Sequence, residues 1–141
     1  MTKEVSYNGS AASNNPIVTK TIGYTGMGMS AMPTSEIVTW SPSGATTETD
    51  TTYDTFTPPV GTLNTISGLS PHTSYLTLGN VMSKVVYDYG TGTHGALLSN
   101  TQYSYLHQDN TAYVDLNILD RPTQVSVYNS ATVGTSTLVA K

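Results

Sequence analysis

Alternation of period two is the feature that most constrains this chain. In Lys84–Gly90, "KVVYDYG", the residues Val85, Tyr87 and Tyr89 fall on one side of an extended chain and Lys84, Val86 and Asp88 on the other. "TQYSYLH" places Tyr103 and Tyr105 together with Gln102 and Ser104 opposite, and "TQVSVYN" sets Val125 and Val127 against Gln124, Ser126 and Tyr128. "PIVTKTIGY" and "SEIVTW" are further candidate strands. Side chains that alternate in this way belong to strands with two different faces. No stretch carries helical periodicity over the dozen or so residues that a stable helix needs.

The connectors agree with that reading. "TGMGMSAMP", "SPSG", "TPPVG", "SGLSPHTS" and "GTGTHG" concentrate the Gly and Pro that turns require. Strand-and-turn spacing therefore predicts an all-β chain of roughly seven to ten strands with little or no helix. Two segments read less simply. "ATTETDTTYDTF" puts Thr47, Thr49, Thr51 and Tyr53 on one face and Glu48, Asp50 and Asp54 on the other, a polar pattern that predicts an edge or outward strand. "AYVDLNIL" fits either a strand or a single helical turn.

Composition narrows the function classes. Hydrophobic residues make up 37% of the chain and ten residues are tyrosine, which together argue against disorder. The 141 residues suffice for one domain, or one piece of a larger one. Only five Lys and Arg are spread along the chain, so no basic patch can neutralise a run of phosphates, and nucleic acid is not an expected partner. The absence of cysteine excludes disulfides and thiolate metal sites. No window is apolar and long enough for a membrane-spanning helix, and the first residues lack the apolar run of a signal peptide. The chain reads as an excerpt ending in a strand, "TSTLVAK".

A repeat underlies the alternation. Tyr53-Asp54, Tyr87-Asp88 and the near copy Tyr128-Asn129 each close an alternating segment beside a turn, at irregular spacing. The stretch "YSYLHQDNTAYVDLNILDRPTQVSVYN" runs from Tyr103 and Tyr105 through a variable insert, then Asn117 and Asp120-Arg121-Pro122 at a turn, then Thr123, Val125, Val127 and Tyr128. That order resembles the YD-repeat family, also called Rhs or teneurin-type repeats. The resemblance is clearest over 84–141, covers Ile17 to Phe56 loosely and does not extend to the first fifteen residues. Asp120 replaces the usual Gly before Arg, and Pro122 the Leu after it.

The resemblance implies repeated antiparallel strand-turn-strand units over 17–141, forming a curved sheet or a segment of a β-shell, with 1–16 as a flexible or poorly matching leader. It implies a non-enzymatic scaffold of a secreted or cell-surface protein, acting in encapsulation, toxin delivery or adhesion. The partners it implies are adjacent repeats of the same chain or like chains, a polypeptide cargo or a surface glycan. Tyr53, Asp54, Tyr87, Asp88, Tyr103, Tyr105, Asp120, Arg121 and Tyr128 are then structural repeat positions, with Arg121 pinning one unit to the next and the Tyr and Val faces supplying the burial. The alternative is a self-contained β-sandwich that binds carbohydrate or polymerises by strand addition, with "KEVSY" and "TSTLVAK" as the strands at its ends.

Catalytic and metal chemistry finds little in the sequence. His72, His94 and His107 lie in separate stretches without the spacing that puts two ligands on one face, so each reads as an exposed turn residue. His107 with Asp109 is the pair that a hydrolase would use. Asp115, Asn117 and Asp120 echo a calcium loop but lack its Gly and its final Glu. Gly26–Gly28 and Gly90–Gly92 lack the third Gly and the helix of a phosphate loop. Asn8-Gly9-Ser10 is a glycosylation sequon. Trp40 and the tyrosines read as cross-strand packing rather than a sugar platform. No catalytic residue, metal or cofactor is expected.

Overall fold

The computed structural model describes residues 1–7, 16–25, 31–54, 79–110, 112–116 and 118–141, with Val114 and Asp115 described by backbone alone. "TPPVG", the "SGLSPHTS" connector with His72, the Gly26–Gly28 stretch, the Asn8 sequon and Asn117 lie outside them.

Nine strands form one antiparallel sheet: β1 (Thr2–Tyr7), β2 (Pro16–Thr25), β3 (Met32–Trp40), β4 (Ala45–Tyr53), β5 (Val81–Tyr87), β6 (Gly90–Thr91), β7 (Leu97–Tyr105), β8 (Pro122–Tyr128) and β9 (Leu138–Ala140). Their order is β1-β2-β3-β4-β5-β7-β8-β9, with β6 paired to β4. The described residues form an all-β curved sheet that does not close. Two single helical turns, α1 (Leu106–Asp109) and α2 (Ala112–Asp115), bridge β7 to β8. The ambiguous "AYVDLNIL" therefore begins as a helical turn, closed by Leu116 N–H on the Ala112 carbonyl at 3.2 Å.

Local chemistry accounts for the corners. Gly44 takes φ +69°, a region that side chains disfavour, and closes the β3–β4 turn by donating to the Trp40 carbonyl at 2.8 Å. β5 turns back through Asp88 N–H on the Ala96 carbonyl and Gly95 N–H on the Asp88 carbonyl, both 2.7 Å. A Cβ on Gly95 would collide with the Tyr89 carbonyl, so glycine is required there. This corner lets β6 take over the edge of β4 beyond the end of β5, pairing Gly90 with Thr46 and Thr91 with Ala45.

Two sequence expectations are overturned. Of the two alternatives for the polar segment "ATTETDTTYDTF", edge or outward strand, the edge is excluded: it supplies the central strand β4, paired to β3 on one side and to β5 and β6 on the other. Its threonines carry β-branched carbons for the sheet and hydroxyls that bond across it, Thr46 to Thr39 at 3.1 Å and Thr52 to Ser83 at 2.6 Å. The second reversal concerns burial. The predicted alternation is present, but the valine and tyrosine faces supply little of the burial: Val125 is 40% exposed while its neighbour Ser126 is 2% exposed. Among the described residues Tyr105 is the only buried hydrophobic side chain, whereas Thr46, Asp54, Ser83, Asn100, His107 and Ser126 are buried and polar.

The reason is that no described residue forms a covering layer. Described residues build one sheet rather than two sheets packed face to face, so a valine on its surface has neighbours beside it but none above it. A serine or threonine is short enough to be covered by the side chains that flank it on adjacent strands. Residues 1–16, expected as a flexible or poorly matching leader, contribute β1 and the first residue of β2.

Candidate functional surface: a hydrogen-bonded polar face between two open edges

Cross-strand register assigns each residue to a face, because directly opposed residues project to the same side. Thr52, Ser83, Gln102 and Ser126 oppose one another in turn across β4, β5, β7 and β8. One row along, Ser35, Asp50, Val85, Asn100 and Tyr128 do the same from β3 to β8. The polar groups on this face satisfy one another. Gln102 donates to Asn100, Gln124 donates to Ser126 Oγ at 2.7 Å, and Asn100 donates to the carbonyls of Ser130 and Ala131 at 3.2 and 3.3 Å. The Asn100 bonds fold the β8–β9 connection onto the sheet. On the opposite face Thr51, Lys84, Thr101, Val127 and Ala140 form a row from β4 to β9.

Tyr53, Tyr87 and Tyr128 lie at strand ends. Tyr53 closes β4 and its hydroxyl donates to the Pro33 carbonyl at 2.7 Å. Asp54 is 4% exposed, and its Oδ2 accepts from Asn80 Nδ2 at 2.9 Å while the same amide donates to the Leu119 carbonyl at 2.8 Å. One carboxylate and one amide thus tie the end of β4 to the start of β5 and to the β7–β8 connection. Tyr105 joins the same end of the sheet, its hydroxyl donating to the Val81 carbonyl at 2.8 Å, and burial pushes its phenol pKa up. Tyr87 closes β5, and Asp88 Oδ1 accepts from Tyr89 N–H at 2.7 Å to shape the next corner. Tyr128 closes β8, and Asn129 N–H donates to the Thr137 carbonyl at 3.0 Å. Tyr103 lies opposite Val125 inside the β7–β8 ladder.

Asp120 and Arg121 are exposed, and among the described residues Arg121 makes no ion pair. The link to α1 is instead its backbone carbonyl, which accepts from Leu106 N–H at 2.9 Å. The side chain of Asp115 lies outside the described part, and no metal-binding group of three occurs among the described residues. His107 and Asp109 both lie in α1 but differ in burial: His107 is 3% exposed and Asp109 faces solvent.

His94 is not an exposed turn residue either. Its ring stacks on Tyr87 at 4.0 Å between centroids, Nδ1 lies 2.9 Å from the Gly95 carbonyl, and Nε2 lies 3.7 Å from Glu48 Oε2. Burial, together with the neighbouring Asp50, raises the Glu48 carboxyl above its ordinary range, with His94 opposing the shift. Burial raises Tyr87 as well, reinforced by Asp50 and Glu48. Alternation along β4 puts Glu48 and Asp50 on one side in the sequence, but nothing local shows that the β5–β7 corner carries His94 to them. At the same end Trp40 meets Tyr89 at 5.2 Å between centroids, tilted by 59°. No helix among the described residues is long and apolar enough to cross a membrane.

The outer strands define what this arrangement can do. Among the described residues β1 pairs only with β2, and β9 only with β8, so each presents a backbone edge that no described strand pairs. They are the segments "KEVSY" and "TSTLVAK" singled out in the sequence. Comparison with protein-family models, curated proteins and solved structures gives no match to this chain.

Proposed function

We propose that the chain is a non-enzymatic structural segment of a secreted or cell-surface β-wall of YD-repeat type, whose sheet is completed by further strands at its two edges. The observation that carries this reading is the open sheet with one buried hydrophobic side chain among its described residues. A sheet with unpaired strands at both ends and no second layer is a part that gains stability by continuation.

Tyr-Asp and Tyr-Asn at three strand ends support the repeat assignment, since in each the tyrosine is the last residue of its strand. The face of hydroxyls and amides suits a wetted wall that encloses a polypeptide or meets a glycan, because its short polar groups bond to one another and leave few charges on display. In this role the backbone ladders carry load, and the side-chain rows hold neighbouring strands in register.

Negative-stain electron microscopy of the purified chain tests the proposal. Curved assemblies, sheets or filaments are the expected result. Uniform compact particles of single-chain size would overturn it.

A further inference from the structure

We propose that two copies of this chain pair antiparallel through β1 about a twofold axis, with Val5 opposite Val5 of the second copy, making one sheet continuous across both. The inference rests on the reading above that the outer edges are open to further strands.

The two edges are unequal. β1 offers six residues and runs against β2 without a shift from Thr2 to Ser6, whereas β9 offers three and its pairing with β8 shifts between Val127 and Tyr128. Short and irregular edge strands are how sheets discourage pairing, so β1 is the more receptive edge.

Charge then selects the register. A twofold axis perpendicular to the sheet preserves its faces, and the residue on the axis opposes itself. Lys3 on the axis would set ammonium against ammonium, and Glu4 on the axis carboxylate against carboxylate, both destabilising. With Val5 on the axis, Lys3 opposes Tyr7 and Glu4 opposes Ser6, so five positions of each strand pair with no like-charge contact. Moving the axis to Ser6 or Thr2 shortens the paired stretch. Val5 is half-buried, while Thr2, Lys3, Glu4 and Ser6 are exposed. β-Branched side chains opposed in this way add favourable packing.

The chain contains no cysteine, so a single introduced thiol reports its own neighbours. Disulfides form only when opposed Cβ atoms come within about 3.5–4.5 Å. Under mild oxidation the Val5→Cys chain is expected to become predominantly a covalent dimer. Lys3→Cys alone is expected to stay unlinked, and an equimolar mixture of Lys3→Cys and Tyr7→Cys to give the mixed dimer. Circular dichroism on each variant verifies that the sheet is retained.

A mixture of Val5→Cys and Val139→Cys that yields only the crossed product would overturn the twofold contact in favour of head-to-tail addition, while leaving the open-edge reading intact. Absence of any cross-link in a chain that remains monomeric would overturn both. Self-linking by Lys3→Cys with none by Val5→Cys would overturn the register.

Discussion

β7 has a partner on each side and buries Asn100 and Tyr105, whereas β1 and β9, at the two ends of the same sheet, have one partner each among the described residues and bury no side chain. The difference lies in pairing more than in residue type. β4 holds Glu48, Asp50 and a run of threonines yet lies in the middle, while β9 is the apolar Leu-Val-Ala and lies at the rim. In a sheet without a covering layer, neighbours in the ladder decide what is buried, and short hydroxyl and amide side chains profit most from having two.

That contrast is most exposed to failure at Tyr105. Tyr105→Ala removes the one buried hydrophobic side chain of the described residues and its hydrogen bond to the Val81 carbonyl. A loss of about 3–5 kcal/mol is expected, read by urea denaturation. Val139→Ala at the rim, where the side chain is 64% exposed, should change stability by no more than about 0.5 kcal/mol. Equal effects would erase the distinction between middle and rim.

Asn100→Ala comes next. It strips Gln102 of its acceptor and the carbonyls of Ser130 and Ala131 of their donor, for an expected cost of about 1–3 kcal/mol. Native-state hydrogen exchange sharpens the same point without mutation. Amides of Ser83 to Val86 and Asn100 to Gln102 should open only with the whole sheet, whereas Thr2 to Tyr7 and Leu138 to Ala140 exchange at lower opening free energy. Protection as strong in β9 as in β7 would contradict the account.

The smallest expected effect concerns Glu48. Its carboxyl is raised from the ordinary 4.5 by burial, with Asp50 adding to the shift, so the folded state holds that proton more tightly than the unfolded chain does. The stabilisation from this group is fully present below about pH 4.5 and is lost as pH rises through the raised value. Glu48→Gln should therefore increase the melting temperature modestly at pH 7 and flatten the profile above pH 4.5. A decrease at pH 7 would mean that the contact with His94 outweighs the burial of the charge.

Much of the strand pattern was legible in the sequence because alternation is local: Val125 and Val127 against Gln124, Ser126 and Tyr128 is the arrangement that the β7–β8 register realises. Which face is sheltered was not legible. Hydrophobicity points to Val125, yet shelter depends on a second layer that the described residues do not provide. Strand order is equally hidden, so the polar pattern of β4 points to an edge or outward strand although the strand lies mid-sheet. The same limit applies to the polar constellations, since Asn80 reaching Leu119 and His94 reaching Glu48 join residues far apart in the chain through corners whose direction no local motif encodes. Arg121 shows the converse, a motif residue whose side chain is exposed while its backbone carbonyl makes the connection.

Sedimentation velocity of the full 141-residue chain across a wide concentration range tests the central claim most directly. A sheet with two open edges predicts a weight-average mass that rises with concentration above the single-chain value of 14.9 kDa. A mass that stays at 14.9 kDa throughout, in a sample that melts in one cooperative transition, would contradict it.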